Sequence, residues 1–339
     1  MEQKDKNERI KGLDSIRFLC AVFVLFAHLG LILPTNVISL NPRLFFYLQK
    51  FLDCLFNGPA AVIIFFIISG FCIHYPFVFA KNIKIIPFYI KRLLRISLPA
   101  MLMVCLYSFL HIKLNPPQYN SLWSIICEII YYLLYPIVFF LSKKIKLIYI
   151  IFAAYIVAIV MLLINANILR YSYQSYSALG NYTWIIGLPC WLLGCWLAEN
   201  YKSFATPSLK KIWLWRLLII TLFVVLRIVK SHVKVIYGSN CFTLDAFAIL
   251  GCIWVGYEIA YYKNKEPNKL LELCGNWSYS LYLIHPAAAT ILLYIGFKSF
   301  QETHIYLILG CFVVAYLFYL LIEKPTHLLA FKISQYFTK

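Results

Sequence analysis

Lys11-Gly12-Leu13-Asp14-Ser15-Ile16-Arg17-Phe18-Leu19-Cys20-Ala21-Val22-Phe23-Val24-Leu25-Phe26-Ala27-His28-Leu29 decides how the rest of the chain is read. An apolar run of this kind suits a helix in hydrocarbon, where an ionisable side chain is costly unless it is paired, hydrated or functional. His28 lies in that zone. Arg17 stands eleven residues earlier, and eleven steps of about 100° come within about 20° of three full turns, so the two side chains share one helix face. At about 1.5 Å per residue they are roughly 16 Å apart, the cation near one membrane surface and the imidazole in the interior. The pattern reads as an anion holder at one end of a helix and a base near the other.

Composition extends this reading to the whole chain. Of 339 residues, 63% are hydrophobic and 13% charged, and the mean hydropathy is +0.79. These values lie far outside the soluble range and predict an all-α, polytopic membrane helix bundle. Residues 1–339 are expected to form a single integral-membrane domain, with no repeat, low-complexity tract or soluble appendage in this sequence. The first apolar run has no small-residue cleavage pattern before Pro34-Thr35-Asn36 and is expected to remain as the first span. Eight of the eleven cysteines fall inside apolar segments, with no C-x-x-C pair and no histidine at metal-ligand spacing. That pattern predicts free buried thiols and no metal site.

Segments of near twenty apolar residues are needed to cross about 30 Å of hydrocarbon. About ten are present, near 14–33, 58–78, 95–112, 121–141, 146–164, 183–200, 212–230, 242–261, 276–297 and 303–323. Phe45 to Phe56 is too short and is expected to lie at the interface. The formal charge of +18 would suggest nucleic acid in a soluble domain, but the cations fall in every other loop. Twenty-two lie on the N-terminal side and eight on the other, with Arg17 inside the first helix. The charge is therefore topology: both termini are expected in the cytoplasm, with membrane lipid and no nucleic acid as partner.

Topology then sets depth. His28 lies about 8 Å below the outer end of the first span, and Glu128 about 10 Å below the same surface in the fourth. A carboxylate beside an imidazole can orient the ring and stabilise its protonated form, so Glu128 is expected to serve His28. Arg92 and Arg95, at i and i+3, enter the third span from inside and with Arg17 form a cationic mouth suited to phosphate. Plainer roles exist for each: anchoring on acidic lipid for Lys91, Arg92 and Arg95, snorkelling for Arg17, helix packing for His28. Ser69-Gly70 reads most simply as a small-residue packing contact. Pro286 frees a carbonyl that Ser280 or His285 can satisfy. Arg170-Tyr171-Ser172-Tyr173-Gln174-Ser175-Tyr176 fits either sugar stacking or an aromatic interface belt.

Six markers in order along the chain resemble acyltransferase family 3, membrane-embedded enzymes that O-acylate cell-surface glycans in bacteria. They are Arg17 and His28 after Leu13-Asp14; Ser69-Gly70-Phe71; Arg92 with Arg95; Trp123, Ser124 and Glu128, followed by Tyr132 and Pro136; Tyr279-Ser280-Leu281-Tyr282-Leu283-Ile284-His285; and Ile322-Glu323-Lys324-Pro325. The resemblance implies a bacterial inner-membrane protein with a cytoplasmic acyl-CoA donor, usually acetyl-CoA. It implies a carbohydrate or lipid-linked glycan acceptor on the far side, O-antigen lipopolysaccharide and exopolysaccharide among the acceptor types. It further implies a catalytic histidine at His28 and donor-binding cations at Arg17, Arg92 and Arg95. Ser15 stands where many members have Gly. Trp123 or Ser124 is a candidate for oxyanion stabilisation, and Ser69, Tyr132 and His285 for substrate contact.

The expected chemistry is acyl transfer, with His28, oriented by Glu128, as general base; an acyl-histidine intermediate is also compatible with these residues. The competing class is a transporter relaying protons or carrying a lipid-linked sugar, against which stand the absence of repeated halves and of paired broken helices. Acceptor identity, donor chain length and oligomeric state are not written in these motifs.

Overall fold

The structure is a computed structural model that describes residues 9–31, 41–109, 122–167, 176–233, 239–296 and 304–337. In chain order the helices are α1 Leu13–Leu29, α2 Pro42–Leu55, α3 Gly58–His74, α4 Ile85–Phe109, α5 Leu122–Ser142, α6 Leu147–Ile164 and α7 Thr183–Asn200. There follow α8 Leu209–His232, α9 Asn240–Tyr262, α10 Lys269–Gly275, α11 Ser278–Tyr294, α12 His304–Phe318, a π turn at Tyr319–Glu323 and α13 Lys324–Tyr336. No strand occurs among the described residues. Span ends near 32–33, 110–112, 121, 297 and 303 lie outside them. So do Lys4, Lys6, Lys113, Arg170, Lys234, Lys298, Lys339 and the aromatic stretch before Tyr176.

Local sequence explains the helix boundaries. Asn41 caps α2 by accepting from the backbone N–H groups of Arg43 and Leu44, Asn57 caps α3 through Ala60, and Ser208 caps α8 through Lys211. In α2 and α3 a proline occupies the first turn, where its missing N–H costs nothing. The chain leaves α1 through Gly30, whose φ of 74° is a left-handed value that glycine adopts freely. The expected interfacial element is α2, which buries none of its residues.

At the centre is α3, apolar on every side and buried along most of its length. It lies against α7 with the backbones touching. A Cβ on Gly70 would stand 2.0 Å from the carbonyl oxygen of Trp191, and one on Gly194 would stand 1.9 Å from that of Ile67. Small residues allow this approach, and van der Waals packing of backbone on backbone replaces the hydrophobic drive that hydrocarbon cannot supply. The packing role expected for Ser69-Gly70 is met at Gly70. At the periphery α6 turns a stripe of Tyr149, Phe152, Ile156, Val160 and Leu163 outward, all exposed. Apolar side chains at helical spacing on the outside of a bundle fit a lipid-facing wall.

Paired contacts give the helix directions. Phe18 meets Trp277 and His28 meets His285, so α1 and α11 run parallel. Ser69 with Glu128 and His74 with Tyr135 set α3 parallel to α5. Ile67 with Gly194 and His74 with Glu199 do the same for α3 and α7. Arg216 with Glu258 and Phe223 with Phe247 make α8 and α9 antiparallel.

Six helical stretches are long and apolar enough to cross a membrane, where the sequence reading expects about ten. The others expected as spans are α1 and α11, of 17 residues each, α4, which carries Lys91, Arg92, Arg95 and Pro99, and α7, interrupted by glycines and Pro189. Three of these four helices, α1, α4 and α11, supply the histidine pair His28–His285 and the arginines Arg17, Arg92 and Arg95 of the site below.

Candidate active site

Two linked features make up the site, a cationic cavity and a pair of histidines, and α1 and α11 contribute to both. Arg17 from α1 and Arg92 and Arg95 from α4 line a cavity of about 90 Å³, closed by Ser69 and Cys72 of α3, Glu128 and Tyr132 of α5, and Tyr279 and Tyr282 of α11. The three guanidiniums are weakly engaged. Arg17 lies 3.4 Å from Asp14, whose other oxygen is held by Arg9, and Arg92 reaches the Cys72 carbonyl at 3.5 Å. Arg95 has no hydrogen-bond or ion-pair partner among the described residues. Guanidiniums with unengaged donors around a confined space are suited to phosphate or carboxylate. A second cavity, of about 410 Å³, shares Arg17, Cys72 and Arg95 with the first and adds Arg9, Lys324 and His327.

Along the same two helices lies the histidine pair. Nδ1 of His28 is 2.7 Å from Nε2 of His285, and the rings are stacked with centroids 5.0 Å apart. His285 is wholly buried while His28 is exposed. The backbone explains the protons. Pro286 has no N–H to give to the residue four before it, so the carbonyl of Tyr282 is free. Nδ1 of His285 takes that carbonyl at 2.8 Å and shares its hydrogen with the Leu281 carbonyl at 3.1 Å. A carbonyl only accepts, so Nδ1 of His285 carries the hydrogen and Nε2, in the neutral ring, accepts. His28 therefore donates through Nδ1, and its Nε2 lone pair is left as the basic atom, with no partner among the described residues. The carbonyl that the sequence expects Pro286 to free is thus that of Tyr282, satisfied by His285 and not by Ser280.

Glu128 is elsewhere. Its Oε1 accepts from Ser69 Oγ and Tyr132 Oη, both at 2.6 Å, so the expectation that it orients His28 is corrected: that partner is His285. Ser124 meets Tyr282 one turn before His285, and Glu128 lies one turn further toward Arg17, so it stands about 10 Å from the level of the histidine pair and shares the cavity of Arg17. His28 turns toward α11, while α5 delivers Glu128 to α3. Ser124 bonds Tyr282 through their hydroxyls and lines the cavity. Trp123 instead packs its ring on Phe66 and Tyr176.

Four site residues had no assigned role in the sequence reading. Tyr279 and Tyr282 precede His285 at spacings of six and three on one face of α11, a pattern that helical periodicity could have revealed. Tyr282 joins both features, its ring in the cavity and its carbonyl on His285. Glu323, buried at the end of the π turn, accepts from the backbone and hydroxyl of Ser280 and so fixes the start of α11. Its cue was an acid inside an apolar segment. His304 donates from Nε2 to the Gly30 carbonyl at 3.0 Å and clamps the turn two residues beyond His28. The other buried acids are bound structurally, Asp245 by Tyr176 and Cys190, and Glu258 by Arg216 and Trp254.

The arrangement offers a seat for an anion and a base with one free lone pair on the same helix. No curated protein and no solved structure matches the chain significantly. The acyltransferase family 3 model, described as an acyltransferase domain, matches residues 10–323, which holds every residue of this site except Arg9, Lys324 and His327. A match over nearly the whole chain, with the histidines and arginines inside it, makes this protein a member of that acyltransferase family.

Proposed function

We propose that this membrane acyltransferase moves an acyl group, acetyl from cytoplasmic acetyl-CoA, to a hydroxyl of a cell-surface carbohydrate across the inner membrane of a bacterium. About ten spans with both termini in the cytoplasm are part of this reading. It is supported by the alternate-loop cations and by the helix directions, since each parallel pair above joins two odd or two even spans of such a topology.

In this reading the donor pyrophosphate rests on Arg17, Arg92 and Arg95 at the cytoplasmic mouth. The pantetheine arm runs along α1 past Tyr279 and Tyr282, over a rise of about 16 Å in an unbroken helix, to His28. Tyr282 closes the cavity on the histidine side and must turn aside to admit the thioester. Nε2 of His28 takes the proton of the acceptor hydroxyl, whose oxygen attacks the thioester carbonyl carbon. The carbon–sulfur bond breaks, the thiolate leaves and takes up the proton, and ester and free CoA are the products. His285 holds the His28 ring and shares the charge that forms on it. Glu128 keeps Ser69 and Tyr132 in the wall of the donor cavity, with Ser124 and Trp123 nearby on α5.

The observation that carries this reading is the His28–His285 pair, whose hydrogen bonds leave one basic nitrogen on the helix that also bears Arg17. The test is release of free thiol from acetyl-CoA by purified protein. Release that requires a carbohydrate acceptor and matches the ester formed supports the reading; a protein that moves the glycan without cleaving thioester refutes it.

A further inference from the structure

The cationic path continues beyond the arginines. A third cavity, of about 420 Å³, shares Arg9, Ile10 and Tyr75 with the second, so three cavities stand in series from Tyr282 to the N-terminal face. It is bounded by the start of α1 and the ends of α3, α7 and α9. Its wall combines Tyr75, Tyr201 and Phe204 with Lys202 and Lys263, and it differs from its neighbours, which include Glu128 and Asp14, in holding no acid. Tyr75 and Tyr201 meet edge to face with centroids 5.6 Å apart, and Phe71 stacks on Tyr75 at 5.4 Å, which holds that ring. Arg9 and Lys11 at the rim are paired with Asp14 and Glu266, yet no carboxylate is among the residues lining the cavity.

Aromatic faces beside ammonium groups bind a flat base that carries phosphate: the rings stack on the base and the cations take the phosphate oxygens. The volume falls within the range of small-molecule sites. Coenzyme A is linear, with the thiol at one end, then pantetheine, pyrophosphate, ribose with its 3′-phosphate, and adenine. With the thioester toward His28 and the pyrophosphate at the arginines, the nucleoside must leave on the opposite side, where this third cavity stands. We infer that the cavity is the adenosine 3′-phosphate subsite of the donor, with Tyr75 and Tyr201 against the adenine and Lys202 and Lys263 on the 3′-phosphate. The assignment rests on the donor reading above and adds what would select the whole coenzyme over a shorter pantetheine thioester.

Binding of adenosine 3′,5′-bisphosphate to the full chain in lipid nanodiscs, measured by calorimetry, tests it. Wild type should bind the bisphosphate about tenfold more tightly than adenosine 5′-monophosphate, and Lys263→Ala with Tyr201→Leu should remove that preference. The same double variant should lower the kcat/KM ratio of acetyl-CoA to S-acetyl-4′-phosphopantetheine about tenfold. Lys263→Glu alone, checked for folding by its elution profile, gives the same answer if the double variant misfolds. No bisphosphate binding by wild type, or binding unchanged in the variants, overturns the assignment. So does equal displacement by glycerol phosphate or by phosphatidylglycerol in the disc, which marks a lipid headgroup site. Wild type that binds the bisphosphate and cleaves no thioester would sink the transfer reading and leave the nucleotide subsite standing.

Discussion

Nδ1 of His28 lies 2.7 Å from Nε2 of the wholly buried His285, and the carbonyl freed by Pro286 holds the far side of that second ring. A base oriented by a neutral imidazole behaves differently from one oriented by a carboxylate. The partner must accept from His28 and donate to a carbonyl at once. Glutamine does both and leucine neither. His285→Gln is expected to retain a measurable fraction of wild-type kcat, and His285→Leu to lose about 10²-fold or more, the scale of general base catalysis. Equal loss in both variants at unchanged protein level contradicts the positioning role.

Pro286 tests the same relationship through the backbone. In Pro286→Ala the new N–H competes with His285 for the Tyr282 carbonyl, so the ring loses its anchor while the helix gains a hydrogen bond. Activity should fall about tenfold or more without loss of thermal stability. A variant both less stable and fully active would show that the proline serves packing alone.

The arginine cavity predicts an effect on the donor. Arg95→Ala, which deletes a guanidinium that is unpaired among the described residues, should raise the donor KM about tenfold and leave the acceptor KM unchanged. Arg95→Lys should recover only part, because an ammonium cannot form the two-pronged contact. Initial rates at varied donor and fixed acceptor measure both.

How much of this was legible beforehand differs from residue to residue. His28, Arg17 and Glu128 stood out because ionisable groups are costly in hydrocarbon, and Arg92 with Arg95 because helical spacing puts them on one face. The structure does gather the three arginines around one cavity. Glu128 was assigned to the wrong partner because counting residues from the ends of apolar runs fixes neither how far one helix is shifted along another nor which neighbour a side chain faces. That information lies in Gly70 and Gly194, which pull α3 onto α7 and set the azimuths of the bundle, and it emerges only when the helices are packed. The difference between about ten expected spans and six helices apolar enough to cross has a related cause. Functional helices such as α4 carry the charges that weaken an apolar signal, so α6 is obvious in sequence and α4 is not.

Glu128 now has a prediction of its own. Glutamine keeps a carbonyl oxygen for Ser69 and Tyr132, so Glu128→Gln should stay within a few-fold of wild-type kcat. Glu128→Ala strands two hydroxyls and should lower stability by about 1–3 kcal/mol. Thermal melts with rates at saturating donor separate the two effects. A Glu128→Gln variant as inactive as one lacking His28 would restore the carboxylate to the chemistry.

Close packing at the centre can be tested without touching the site. Gly70→Ala or Gly194→Ala forces a methyl into a facing backbone carbonyl, and overpacking of this kind costs about 1–3 kcal/mol. Melting temperature should drop for either change, and a wild-type value would mean that α3 and α7 stand further apart.

The most direct measurement is the rate of acceptor-dependent thiol release from acetyl-CoA by purified His28→Ala, in a preparation whose elution profile and melting temperature match wild type. Release at the no-enzyme background is the predicted result, since Nε2 of His28 is the base in this account and Nε2 of His285 is turned to His28. Release at the wild-type rate would contradict the assignment of His28 as the base.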